Sequence, residues 1–152
     1  MKKIICGFIF TICAVMLTGC GSSEKKLNCS IDGSKLTYLP SGVSLVQDTE
    51  VKFKNDKIET VEMIYKVDID SSLSSSAIAM YNSLKSTYEN MYGKYDGVKV
   101  TTNKTSDLKF DIVVSIDFKN ISNSTKTALK MNGSESYSVN KNQLENMGYT
   151  CK

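Results

Sequence analysis

The chain has 152 residues with 19 basic and 16 acidic side chains, no histidine and no tryptophan, and every basic residue is lysine. Without histidine there is no Ser-His-Asp or Cys-His arrangement and no imidazole metal site. Without arginine there is no bidentate clamp for phosphate or carboxylate. The formal charge of +3 is too small and too scattered for a nucleic-acid footprint, and no phosphate-cradling glycine loop points to a cofactor.

The first element belongs to targeting rather than to a fold. Lys2 and Lys3 lead into an apolar run, residues 4–17, that stops at Leu17-Thr18-Gly19-Cys20. A basic start, a short apolar stretch and a small-residue exit mark a secretory signal. At about 14 residues the run is too short to span a bilayer core of about 30 Å. Leu-Thr-Gly-Cys resembles the bacterial lipoprotein signal, the lipobox. That resemblance implies removal of residues 1–19, acylation of Cys20, and attachment to the cell membrane on its extracytoplasmic face. The remaining 133 residues suit one domain, residues 27–152, behind a short polar tether at residues 20–26.

A first strand is expected over residues 27–31, carrying Cys29. Asp32-Gly33 and Pro40-Ser41-Gly42 are turn signals, with Leu36 and Tyr38 between them in a brief strand or a loop. Residues 43–54 and 58–69 read as a hairpin around Asn55-Asp56. Val61, Met63, Tyr65, Val67 and Ile69 alternate with mostly polar neighbours along the return strand.

After a serine-rich break the period becomes helical. Ile78, Tyr81, Leu84, Tyr88, Met91 and Tyr92 fall at three- and four-residue steps, and Gly93 and Gly97 end the helix. A strand over residues 98–105 follows, then the cleanest alternation in the chain. Leu108, Phe110, Ile112, Val114, Ile116 and Phe118 face one way, with mostly polar neighbours facing the other. Residues 125–131 suggest a helical turn, and residues 140–147 a short helix closed by Gly148. The sum is an α+β domain: an antiparallel sheet of four or five strands, with one long helix and a short C-terminal helix packed on one face.

Five cysteines are present. Cys6 and Cys13 would leave with the signal, and lipid would consume Cys20. Cys29 and Cys151 then remain, and outside the cytoplasm such a pair is expected to be oxidised. A redox role has little support, since the two lack the Cys-x-x-Cys spacing that tunes a thiolate.

Tyr81, Tyr88 and Tyr95 recur every seven residues, with Tyr92 beside them. Such a row could line a groove between helix and sheet that takes a small ligand, but it better suits rings that simply cover the sheet and keep their hydroxyls wet. Asp68-Ile69-Asp70 begins like a calcium loop but lacks the central glycine and terminal glutamate. Asp111 and Asp117 are about 20 Å apart at strand rise, too far for a carboxylate pair acting on one bond. Ser138-x-x-Lys141 lacks the supporting motifs of the penicillin-binding enzymes. No catalytic residue, metal site or cofactor is assigned.

The lipobox, Cys29 just past the tether, the Asn55-Asp56 hairpin, the tyrosine-bearing helix and the closing Gly148-Tyr149-Thr150-Cys151-Lys152 together resemble the small YehR-like lipoproteins of low-GC Gram-positive bacteria. The resemblance runs over the whole mature length. It implies one α+β domain and carries no activity, because that group is a domain of unknown function. The expectation is a non-enzymatic binding or interaction domain at the cell envelope, held to the membrane by lipid, with an envelope protein or a small ligand as partner. The competing expectation is a small-ligand binder or an unrecognised enzyme using the helix–sheet groove.

Overall fold

The computed structural model describes residues 23–36, 39–131 and 133–152. The signal segment, Cys20 and Tyr38 lie outside the described residues. Six strands build one antiparallel sheet: β1 (Glu24–Asp32), β2 (Val43–Lys54), β3 (Lys57–Ile69), β4 (Val98–Lys104), β5 (Lys109–Asp117) and β6 (Thr150–Cys151). Their order across the sheet is β4-β5-β3-β2-β1-β6. Three α-helices accompany them among the described residues: α1 (Ser74–Tyr92), α2 (Asn123–Ala128) and α3 (Tyr137–Asn146). Among the described residues no helix is long and apolar enough to cross a membrane.

The α+β class matches the expectation, and the strand number corrects it to six. The added strand is β6. Two residues are too few for alternation to show in a sequence, so β6 exists only through its pairing of Cys151 with Cys29 and Thr150 with Ser30. β1 also starts earlier than expected, at Glu24, inside the segment read as tether. Cross-strand partners order its polar start: Lys26 Nζ lies 2.6 Å from Glu50, and Lys25 Nζ 3.4 Å from Asp56. Helix α3 begins three residues early, at Tyr137, because Ser136 caps it through the Val139 N–H. The turn after β5 becomes α2, capped by Ser122, which accepts from the Thr125 N–H.

The β2–β3 hairpin turns at Asn55 and Asp56, with φ of 52° and 60°. Two successive left-handed residues match a type I′ turn, whose twist suits a two-residue hairpin. This sets Val51 opposite Val61 and Leu45 opposite Val67. On β5 the same face carries Phe110, Ile112, Val114 and Ile116, all nearly inaccessible. Truncating a ring such as Phe110 or Phe53 in such a core costs about 3–5 kcal/mol.

The opposite face is a lattice of charges. Glu50 lies directly across from Glu62, a repulsive placement. Lys26 and Lys52 both approach Glu50, and the Ser115 hydroxyl donates to Glu62. Lys66 reaches Asp48, and Lys109 reaches Asp68, each at 2.7 Å. Exposed pairs contribute about 0–1 kcal/mol each, so this face keeps the sheet wet more than it holds it together.

Cys29 and Cys151 are joined by a disulfide across 122 residues of sequence. It ties edge strand β6 to β1 beside main-chain hydrogen bonds exchanged between Asn28 and Lys152. Loop closure on this scale restricts the unfolded chain by about 5 kcal/mol in the entropic account, and bridges often deliver less. Replacing Cys151, which is only partly buried, by Ser should therefore lower the unfolding free energy by a few kcal/mol. Cys29 is almost fully buried, so Cys29→Ser should cost more by adding a hydroxyl to the core. Chemical denaturation of both variants beside the oxidised and reduced parent checks this; unchanged midpoints would show that the bridge contributes nothing.

Candidate functional site

Helices α1 and α3 sit on the same apolar face but over different strands. α1 packs against β4 and β5, and α3 against β1 and β6. Six strands spaced about 4.8 Å apart span about 24 Å between outer axes. Two helices of about 10 Å diameter leave a strip of that face open. The strip lies along β2 and β3.

Two cavities occupy it. The larger has a volume of about 550 Å³, within the range of small-molecule sites. Its floor is Val43, Leu45, Tyr65, Val67 and Ile112, and α1 supplies Met80, Leu84 and Tyr88 as the wall. Ser76, Ala79 and Ser83 form the rim on α1, and Leu39 with Pro40 closes the end. No described lining residue carries a charge. The smaller cavity, about 240 Å³, lies along the same two strands under α3, between Gln47, Met63, Leu144 and Tyr149 among others.

Between the cavities stands a cluster of phenols. The Tyr65 ring lies 4.5 Å from Tyr88, and Tyr88 stacks 6.1 Å from Tyr92. The Tyr65 hydroxyl also donates to Met63 Sδ at 3.7 Å. Burial raises the Tyr65 hydroxyl well above the usual phenol range, and the neighbouring Tyr92 and Tyr88 oxygens add to the rise. Burial likewise pushes Tyr88 up to about 12, helped by Tyr92 and opposed by a hydrogen bond to Tyr65. Tyr149 is raised by burial and partly restored by a hydrogen bond with Thr49.

The structure brings only part of the expected tyrosine row to this site. Tyr88 lines the larger cavity and Tyr92 backs it. Tyr81 stays on the packed face but lies nearer the start of α1, over β4 and β5, where its ring meets Phe110 edge-on at 5.0 Å and its hydroxyl pairs with Thr102 at 2.9 Å. Tyr95 lies beyond the helix in the loop to β4, under the Lys94 ammonium. Ile78 and Met91, expected on the packed stripe, are 54% and 49% exposed. The packed face centres on Ala77, with Met80, Tyr81, Leu84, Tyr88 and Tyr92 beside it. Sequence reasoning missed Tyr65 as a site residue, and with it the Leu39–Pro40 end. A signal was available in Ser76, Ala79 and Ser83, small residues at helical steps along one flank of the stripe, where a helix cannot fill the space beside it.

The other motifs resolve into surface roles. Asp68 pairs with Lys109, and Asp70 caps the turn before α1 by accepting from the Ser72 N–H at 2.8 Å. Asp117 accepts from the Lys119 N–H and the Asn120 amide. Ser138 bonds Ser136, and Lys141 lies 3.8 Å from Glu145.

Two solved structures share this fold. One is the NMR structure of a protein from Streptococcus pneumoniae TIGR4, with a TM-score of 0.55 and 10% identity over all of this chain and 99% of the other. The second is the NMR structure of the E. coli YehR protein, with a TM-score of 0.55 and 13% identity over 86% of this chain and 92% of YehR. At these identities the likeness is one of fold alone. The architecture expected from the YehR-like resemblance is thus present. No family model matches the chain, and no curated protein matches it.

The phenol cluster sets an alkaline limit on stability. A tyrosine whose folded pKa lies above about 10 stays neutral in the fold while the unfolded chain ionises. The folded state then holds more protons, so stability is complete below pH 10 and falls as pH rises from 10 towards 12. Absorbance at 295 nm should show Tyr65, Tyr88 and Tyr149 ionising above the usual phenol range, and Tyr65→Phe should remove one late step. Ionisation of these three within the usual phenol range in folded protein would refute the cluster.

Proposed function

We propose that the protein is a lipid-anchored, extracytoplasmic domain of the bacterial cell envelope that binds a ligand without catalysing a reaction on it. Anchoring is supported by Lys2, Lys3, the apolar run and Leu17-Thr18-Gly19-Cys20. The Cys29–Cys151 bridge supports an oxidising compartment.

Binding is carried by one observation, the uncharged cavity between α1 and the sheet. Its position supports an anchored role. Glu24, where the described chain enters the sheet, pairs with Lys54 at one end of β2, and the cavity floor begins at Val43 at the other. Eleven residues at strand rise separate the two levels by about 36 Å. A domain held by its N-terminus would present the cavity end away from the bilayer.

The competing reading, an enzyme in the same cavity, would have only Tyr65, Tyr88, Ser76 and Ser83 among the described lining residues to supply polar side-chain chemistry. Hydroxyls are weak nucleophiles without an adjacent base, and burial makes the two phenols harder to ionise. Binding fits this wall better.

Membrane fractionation tests the anchor. The parent should sediment with membranes, and Cys20→Ala should move to the soluble fraction with the disulfide and melting temperature unchanged. Equal partition of the two would overturn the anchoring.

A further inference from the structure

We propose that the larger cavity binds an uncharged hydrocarbon chain, lying along the trench between α1 and strands β2 and β3. This deepens the binding role above and rests on it.

The lining selects against charge. A carboxylate, phosphate or ammonium drawn into the cavity would lose water and meet no opposite charge among the described lining residues. Stripping an ion without pairing it costs several kcal/mol. Hydrocarbon meets Val43, Leu45, Val67, Met80, Leu84 and Ile112 instead, and apolar surface removed from water gains about 25 cal/mol per Å².

The shape selects for length. The α1 side of the cavity runs from Ser76 to Tyr88, twelve residues or about 18 Å at helical rise. Met80 gives one wall the pliability that suits chains of differing shape. The polar groups are Ser76 near the start of α1, Ser83 on the exposed rim, and the Tyr65–Tyr88 pair at the inner end. A hydroxyl or similar neutral head can be accepted there without a charge.

The test uses the full chain in its membrane, with a diazirine-bearing hexadecanol as photoprobe and peptide mass spectrometry to locate the label. Label is expected on β2 and on the Met80–Tyr88 stretch of α1. Excess hexadecanol should compete, and hexadecyltrimethylammonium should not. Ala79→Trp and Ser83→Trp, both on the exposed rim, should lower labelling about tenfold, while Asn82→Trp on the far side of α1 leaves it intact. Melting temperatures confirm that each variant folds.

Label spread evenly over the surface, or undiminished in both rim variants, would overturn the proposal. So would label that appears only in Cys20→Ala, since the chain's own acyl group would then hold the trench. A crosslinked dimer through α1, lost in the rim variants, would give the trench to a second copy and also overturn it. Pelleting the same samples separates this failure from failure of the anchor. Labelled protein that does not pellet keeps the site and loses the anchor, and pelleted protein without label does the reverse.

Discussion

The sheet presents a wider apolar face than its helices can cover. The other features of the domain follow from that mismatch in width. Backbone hydrogen bonding extends the sheet to six strands without regard to what will lie on top. Each helix then settles where its own apolar face finds the best fit, α1 over one side and α3 over the other. The residue is a strip along β2 and β3, at the centre of the domain rather than at its margin. A central gap of this kind is roofed on two sides and open along its length.

The tyrosines moderate that gap. Tyr65 rises from β3, Tyr88 and Tyr92 descend from α1, and Tyr149 enters from the segment before β6. They meet where neither helix reaches, and they divide one long strip into two cavities. Their rings supply apolar bulk, and their hydroxyls find partners within the cluster and at Met63 and Thr49. The same residues thus fill the sheet's uncovered middle and set the inner limit of the space left for a ligand.

Much of the fold was legible because strands write their faces into alternate positions. The β2–β3 hairpin and β5 could be read this way, although Val113, on the side of β5 read as wet, is buried. β6 could not, since its two residues carry no period and its place depends on a partner 122 residues away. β1 hid its first residues for a different reason: Glu24, Lys25 and Lys26 look like solvated tether until Glu50 and Asp56 are placed opposite them. The site was half legible. Helical spacing showed that Tyr81, Tyr88 and Tyr92 share a side of α1, but spacing carries no information on which strand each ring meets. Seven residues turn a helix by only about 20° from register but advance it by about 10 Å, enough to send Tyr81 to Thr102 and Phe110 while Tyr88 went to Tyr65.

The edge closed by β6 has a consequence for the order of events in making the molecule. Most of the sheet, β1 through β5, can assemble from residues 24–117, yet the strand that seals β1 lies at residues 150–151. Until those residues have been synthesised, the outer edge of β1 is an unpaired ladder and Cys29 is a free thiol. The growing chain therefore carries its own delay. It reaches its locked form only once residues 150–151 have been made, well after the strands that they seal.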